Sequence, residues 1–416
     1  MRSVRVFRRL LGVEHTVIES VELDEERGEE VIVARVRPVA SRASRCSRCD
    51  RRCVGYDAGD GRRRWRTLDL GTVRAYLEAE APRVRCVEHG VVVAAVPWAR
   101  PGARATRAFE DTCAWLAAHA SFTVIAALLR VSWRTVAAVV TRVVAELAGG
   151  TDRLDGLRRI GIDEIAHRRG HRYLTVVVDH DTGRLVWAAA GRDSATVGKF
   201  FDALGPHRAK LLTHVSADGA EWIHTPVTER APQAVLGMDP FHVVAWATKA
   251  LDEVRRGVWN ELRWSGKKTQ AASLKGSRWA LVKNPEDLTM EQRTTLAGIA
   301  QDNKALYRAY LLKEQLRMVF AAKGEQGRRL LAGWLAWARR SRLPAFVKLA
   351  KTIDRYRPLI WNTLDNELSN ARVEATNTHL RVLTRRAYGF HSPESLIAIA
   401  MLTRGGLCPD LPGRAA

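Results

Sequence analysis

The chain has no run of about 18 consecutive apolar residues, which argues against a membrane-spanning helix. Six cysteines in 416 residues are too few for a disulfide scaffold, and four of them fall between positions 46 and 86. That clustering points to a reducing compartment and a local metal site. The opening stretch, Met1-Arg2-Ser3-Val4-Arg5-Val6-Phe7-Arg8-Arg9, is too interrupted by arginine for a signal peptide. Acidic residues are in deficit: 45 Asp plus Glu stand against 67 Lys plus Arg, a formal charge of +22. A surface so basic is a physical argument for a polyanionic partner. An arginine-biased proteome would produce the same balance. Internal repeats and long low-complexity segments are also missing.

What is present is a chain that is 46% hydrophobic, long enough for a sizeable core and for about two to four domains. Residues 1–40 alternate in the manner of short strands, as in Val31-Ile32-Val33-Ala34-Arg35-Val36. Residues 41–100 carry the cysteines, many arginines and further strand-like patterning at Val91-Val92-Val93. Residues 105–149 have helical spacing. The region 157–245 reads as three strands, then helix, strand, helix, strand, helix. The strands are expected near 158–165, 172–180, 183–190, 211–217 and 234–238, with a hairpin turn at Asp181-Thr182-Gly183. Residues 241–365 are mostly helical, with a break at Ser265-Gly266-Lys267-Lys268. Two further helices are expected over 369–386 and 393–404.

Two ligand pairs stand out. Cys46-Ser47-Arg48-Cys49 and Cys86-Val87-Glu88-His89 each place two donors three positions apart, the spacing of a zinc knuckle. The 36 residues between Cys49 and Cys86 can form the strands of a ribbon. Cys53 could replace one ligand. Such a zinc would be structural, because no coordination position is left open. Cys113 and Cys408 read as ordinary core or tail thiols. Further on, Phe122–Leu129 and Trp133–Val140 read as two helices around a tight turn, the second capped by Ser132. As a helix-turn-helix, the second helix would enter a DNA major groove with Trp133, Arg134 and Arg142 near its exposed face. An ordinary helical hairpin has the same pattern.

Carboxylates within apolar strands are costly unless cations compensate them. Asp163 lies in the strand Arg159-Ile160-Gly161-Ile162-Asp163-Glu164-Ile165-Ala166. Asp218 follows the apolar run that ends at Val215-Ser216-Ala217. Glu374 lies on the late helix. A β-β-β-α-β-α order with one acid on the first strand and another after the fourth describes a ribonuclease-H-like sheet, in which those two strands are neighbours. Three close carboxylates repel unless cations are bound, and two Mg²⁺ ions, replaceable by Mn²⁺, would satisfy them and support in-line phosphoryl transfer. Taken singly, each acid also reads as a solvated strand end or helix face. Glu164 falls on the opposite face of its strand and is expected to pair with an arginine. Asp179 reads as a hairpin residue. Glu367 competes with Glu374 but lacks the Asn/Arg pattern that follows it. Asn377, Arg381 and Arg385, at three, seven and eleven residues beyond Glu374, are expected on one helix face suited to phosphate contact; a solvated basic face has the same pattern. Arg168, Arg169, His171 and Arg172, on the hairpin behind Asp163, are expected to touch phosphates too.

Together these segments resemble the DDE-type transposases of bacterial insertion sequences, specifically the ISL-three family. Gly161–Ala166 with Arg168–Tyr173 is similar to the family's first-acid motif, and Ser216-Ala217-Asp218-Gly219 to its second. Asp239-Pro240-Phe241-His242 resembles the Asp-x-x-His segment that follows the fifth strand. Asn370–Asn377 with Arg385-Arg386-Ala387-Tyr388-Gly389-Phe390 resembles the third-acid helix. His89 stands where family members commonly carry Cys.

The resemblance implies a multidomain α/β protein. Its parts would be a zinc-ribbon-like DNA-binding module over 1–100, a helix-turn-helix over 101–150 and a catalytic core over 155–245 and 366–416. An all-α insertion over 246–365 would interrupt that core; 156 positions separate Asp218 from Glu374. Asp163, Asp218 and Glu374 would be the catalytic metal ligands, with Asp239 and His242 in support. The activity implied is DNA end binding, strand cleavage and strand transfer, on double-stranded transposon ends and target, by a homo-oligomer. Its place would be the bacterial cytoplasm at the nucleoid, away from membranes. A transposase-derived DNA-binding regulator and a ribonuclease-H-like nuclease without strand joining are the alternatives. Seven tryptophans (246, 259, 264, 279, 334, 337 and 361) lie in the helical region. Most are expected to pack between helices, and a few to stack on unpaired bases.

Overall fold

The computed structural model describes all residues except 1–5, 8, 9, 27, 169, 171, 367, 369, 370, 387–389, 391, 415 and 416. The chain forms two compact units, Met1–Asp152 together with Glu394–Ala416, and Arg153–Pro393. The expected last segment, 366–416, is therefore divided between them.

In the first unit, β1 (Thr16–Glu26) and β2 (Glu29–Pro38) form an antiparallel pair. After β3 (Val54–Asp57) come β4 (Arg62–Leu70) and β5 (Val73–Glu80), giving a four-stranded sheet of order β1-β2-β5-β4. Its alternating apolar residues Val36, Trp65, Leu77 and Ala79 close over Trp98, which meets Trp65 edge-to-face at 5.5 Å. A smaller antiparallel sheet joins β3 to β6 (Arg83–Cys86) and β7 (Gly90–Val93).

Three helices follow: α1 (Arg107–His119), α2 (Phe122–Leu129) and α3 (Trp133–Gly149). Thr106, Ser121 and Ser132 cap them, each side chain accepting a hydrogen bond from a first-turn backbone N–H. Arg130, at φ +53°, ends α2 in a left-handed turn, and the axis bends by 102° into α3. Val136, Val139, Val140, Val143 and Val144 form the buried stripe of α3. Among the described residues no single helix is long and apolar enough to cross a membrane.

The second unit begins with β8 (Arg159–Arg168), β9 (Arg172–Asp179) and β10 (Leu185–Ala190), an antiparallel meander. The Asp179 carboxylate accepts hydrogen bonds from the Asp181 and Thr182 N–H groups, and Gly183 has φ +75°, so the expected hairpin turn is present. The helices α4 (Ser194–Leu204) and α5 (Pro206–Ala209) lead to β11 (His214–Ala217). Next come α6 (Glu221–Arg230) and β12 (Val235–Met238). The sheet order is β10-β9-β8-β11-β12, with β8, β11 and β12 parallel. All five strands arise within a few residues of the expected positions, because the apolar runs are bounded by turn residues.

One face of this sheet packs on α4 and α6 through Ile160, Ile162, Val215, Phe200, Phe201, Ile223 and Val227. Each of these large side chains contributes about 2 kcal/mol by leaving water. From β12 the chain runs into a helical body: α7 (Pro240–Trp264), α8 (Lys268–Lys275), α9 (Arg278–Val282), α10 (Met290–Asp302), α11 (Lys304–Ala322), α12 (Gly324–Arg340), α13 (Pro344–Arg355) and α14 (Arg357–Asp365). It has its own core, centred on the fully buried Trp334, whose indole N–H donates to Leu312 O at 2.8 Å. The α7 break falls where the sequence placed it, with Gly266 at φ +78°. The described chain ends with α15 (Ala371–Arg386) and α16 (Pro393–Arg404).

Candidate active site and metal centre

The parallel register aligns the acids. His214, Val215 and Ser216 on β11 pair with Arg159, Ile160 and Gly161 on β8, so continuing the register brings Asp218 level with Asp163. Ala217 pairs with Met238 on β12, and the Asp239 N–H donates to Ala217 O at 2.7 Å, so Asp239 falls level with Asp218. Strand alternation then puts Asp163, Asp218 and Asp239 on the face that carries Gly161, Ser216 and Gly237. That is the face covered by α14 and α15. Thr363 on α14 donates to Met238 O at 2.7 Å, and Val373 on α15 lies against Gly161.

Helix α15 crosses β8 very closely. A Cβ on Gly161 would overlap Val373 Cγ2 and sit 3.0 Å from His180 Nε2. The Arg372 guanidinium donates to His180 O, and to Asp181 O at 2.6 Å, which pins the start of α15 to the β9–β10 turn. The Asn377 amide donates to Asp163 Oδ2 at 2.6 Å. Asn377 is 2% exposed. This corrects the expectation that Asn377 shares an exposed phosphate-facing surface with Arg381 and Arg385. Val373, Thr376, Asn377, Leu380 and Leu383 form the buried stripe, while Glu374, Arg381 and Arg385 are exposed. Glu374 sits one turn ahead of Asn377, at the edge of that stripe.

Burial and mutual repulsion set the charges of this site. Burial pushes the Asp163 carboxyl up to about 7, although the His242 charge pulls it down. Burial, and then the negative charge of Asp218, raise Glu164. Glu164 occupies the other strand face and pairs with Arg192 at 2.8 Å, as its position in the strand leads one to expect. Burial works against the His242 imidazolium, yet its hydrogen bond to Asp239 and the charges of Asp239, Asp163 and Asp218 lift it to about 9. Asp239 also caps α7: Oδ1 accepts from Phe241 N at 2.9 Å, and Oδ2 meets His242 Nδ1 at 2.9 Å. Glu164 Oε2 and Asn377 Oδ1 are buried without a partner among the described residues. The acids are not gathered as closely as four metal ligands elsewhere in the chain. Among the described residues, only Cys46, Cys49, Cys86 and His89 form a group whose donor atoms lie within 4.8 Å of one another.

That second cluster is built by the small sheet of the first unit. Each knuckle is followed by a left-handed residue, Asp50 at φ +55° and Gly90 at φ +67°, which turns the chain back around the donors. Cys49 Sγ and Cys86 Sγ are 3.7 Å apart, and His89 Nδ1 lies 3.7 Å from Cys46 Sγ and 3.6 Å from Cys86 Sγ. Tetrahedral zinc with bonds of about 2.3 Å to sulfur requires edges of about 3.8 Å, so the donor set fits a structural Zn²⁺. Cys53 stays outside the group and donates to Arg51 O at 3.3 Å.

On α3, Trp133 and Arg134 are exposed, with the guanidinium carbon 5.7 Å from an indole centroid. Arg142 is not on that surface: its guanidinium pairs with Glu110, which is fully buried, and the expectation of an exposed Arg142 is corrected. Arg100 serves the same carboxylate at 3.4 Å, and also reaches Asp111 at 2.6 Å and Glu146 at 2.5 Å. In the second unit, Arg168 and Arg172 are exposed partners at the β8–β9 turn. Arg169 and His171 lie outside the described residues, as do Glu367, Asn370 and Ala387, Tyr388 and Gly389 of the late motif.

Sequence reasoning missed several contributors. His180 is buried, is held down to about 4 by burial and then by Arg159, and its Nε2 bonds Ser216 Oγ at 2.6 Å. His224 reaches Asp218 O at 2.7 Å, and the Tyr356 hydroxyl donates to Gly219 O at 2.9 Å. Both hold the loop that carries Asp218. No spacing rule signals them: His180 and Tyr356 meet partners far away in sequence, and His224 folds back on a backbone oxygen within its own loop and helix.

Comparison with known proteins agrees across the chain. Residues 160–400 match a family model described as transposase. Residues 94–144 match the helix-turn-helix domain of transposase family ISL3. Residues 42–89 match the zinc-finger of transposase IS204/IS1001/IS1096/IS1165. The chain is 55% identical, over its full length and 98% of the relative's, to the transposase for insertion sequence element IS1557 of Mycobacterium tuberculosis. It is 28% identical, over 80% of its length and 82% of the relative's, to the transposase for insertion sequence element IS1001 of Bordetella parapertussis.

Proposed function

This chain belongs to the ISL3 family of insertion-sequence transposases, and from that premise we propose that it binds the inverted ends of its element, cleaves there and joins the cut strands to target DNA. Asp163, Asp218 and Glu374 are the catalytic acids. The observation that carries this reading is the register of β8 and β11, which brings Asp163 and Asp218 level on one sheet face under the helix that bears Glu374. The order β10-β9-β8-β11-β12 is that of a ribonuclease-H-like core. In this reading the helical body from Pro240 to Asp365 is an insertion between the second and third acids.

The donors are all hard oxygens, the buried Asn377 Oδ1 beside Asp163 is unpartnered among the described residues, and burial raises Asp163, so the residues fit Mg²⁺ or Mn²⁺. Bound there, such ions supply activation of a water or 3′-hydroxyl and stabilisation of the leaving oxygen. The chain's own residues orient the acids. Asn377 fixes one oxygen of Asp163, the Ala220 N–H holds Asp218 Oδ1 at 2.9 Å, and Asp239 holds His242 beside both. Arg168, Arg169, Arg172, Arg381 and Arg385 contact DNA phosphates, and Trp133 and Arg134 read the end sequence from α3. A homo-oligomer acts on paired ends.

A Mg²⁺-dependent nicking and joining assay on end-sequence DNA tests the reading. Asp163→Asn, Asp218→Asn and Glu374→Gln should each remove cleavage while end binding persists. Wild-type cleavage by any of them sinks the assignment. End binding with no cleavage by the unaltered protein would identify a regulator, and nicks without joined products a nuclease.

A further inference from the structure

From Leu262 to Pro285 the chain carries Arg263, Lys267, Lys268, Lys275, Arg278 and Lys283 and no acidic residue. The same stretch, the end of α7 with α8 and α9, holds Trp264 at 85% and Trp279 at 57% exposure. The other tryptophans of the helical body do not project in this way. Trp334 is fully buried, and Trp246, Trp259, Trp337 and Trp361 pack against the core. Leaving two indoles in water forgoes burial worth about 2 kcal/mol each. The segment is not loosely attached. Ala271, Leu274, Ala280 and Leu281 are buried, and the buried Lys313 ammonium donates to Leu281 O, Val282 O and Lys283 O at 3.1–3.3 Å. Lys267, Lys268 and Lys275 are exposed and make no ion pair among the described residues. The Arg278 guanidinium lies 5.7 Å from an indole centroid of Trp279.

We propose that this surface binds unpaired DNA, with Trp264 and Trp279 stacking on exposed bases and the lysines following the backbone. Charge sets the class of partner: six uncompensated or weakly compensated cations attract a polyanion. The indoles select among polyanions, because a base offers its face only when it has left the duplex stack. The inference rests on the transposase reading for its purpose, since strand cleavage near element ends frees such bases, but its chemistry does not depend on the acids.

The test uses the full chain and a fluorescein-labelled oligothymidylate of about 15 nucleotides, with a duplex of equal length for comparison. Trp264→Ala and Trp279→Ala should each weaken single-strand binding about 5- to 100-fold and leave duplex binding unchanged. Trp264→Phe and Trp279→Phe, which keep a stacking ring, should retain most of it. Tryptophan fluorescence of the unaltered protein should be quenched on adding the oligomer, and less so in the alanine variants. Unchanged single-strand affinity in both alanine variants overturns the proposal. So does an equal loss on duplex, or an oligomer that sediments as monomer after either alanine change, which would mark the patch as a contact between copies. Asp163→Asn protein should bind the oligomer normally. A failure of the catalytic reading would therefore leave this result standing, and the reverse.

Discussion

At the scale of single residues, the site depends on polar groups removed from water and given a defined partner. Asn377 is the clearest case. Its identity and distance from Glu374 were readable, but its face was not, because an asparagine bonded to a buried carboxylate is as well satisfied as one in water. Asn377→Leu should leave Asp163 Oδ2 without its donor at a cost of about 1–3 kcal/mol, and should lower the cleavage rate far more than end affinity; equal losses in both assays would refute the positioning role. Gly161→Ala should force α15 away from β8 and impair cleavage while zinc content stays intact, which nicking and metal analysis can follow together. His180 gives a pH signature. Its folded value, about 4, lies below the usual histidine value of 6.5, so its contribution to stability is complete above pH 6.5 and is lost as the pH falls toward 4. Unfolding temperatures should drop across that window, and His180→Asn should flatten the drop; parallel curves would exclude His180 as the cause.

At the scale of elements, the strands of the second unit, the helix beginning at Phe122 and the Ser132 cap of the next were legible. Apolar runs between turn residues and cap chemistry are local signals. Arg142 was misplaced because helical phase alone cannot reveal a buried acid on a neighbouring helix. That acid, Glu110, makes Arg142 structural: burial raises its carboxyl, and Arg142 and Arg100 oppose the rise. Arg142→Ala should therefore destabilise the first unit by about 1–3 kcal/mol in urea unfolding, since Arg100 still faces Glu110. Glu110→Leu/Arg142→Leu should recover much of the loss. If Arg142→Ala instead weakens DNA binding with no change in stability, the ion-pair assignment is wrong. The zinc knuckles were legible as doubled spacing, and the fourth ligand was settled only by the sheet that brings His89, rather than Cys53, to the other three.

At the scale of the molecule, the excess of 22 positive charges sets the response to salt. End binding should fall about 10³- to 10⁵-fold between 50 and 200 mM salt if six to ten phosphates are neutralised; a nearly flat dependence would mean that phosphates are not the main contacts. Zinc removal should unfold the small sheet and abolish end binding while the second unit keeps its helical circular dichroism, since the two units have separate cores. The grouping of Glu394–Ala416 with the first unit was not legible. The apolar pattern of α16 says that it is buried, not against what.

That grouping orders events in time. The first unit cannot be completed when its opening 152 residues emerge from the ribosome, because its last piece lies beyond all three catalytic acids. At about 5–20 residues per second, the wait is roughly 12–50 s. A chain that aborts before Glu374 also lacks the closing segment of its DNA-binding half. A fragment released before Glu394 should therefore bind an element's ends more weakly than the full chain, which a filter-binding comparison of the two can check.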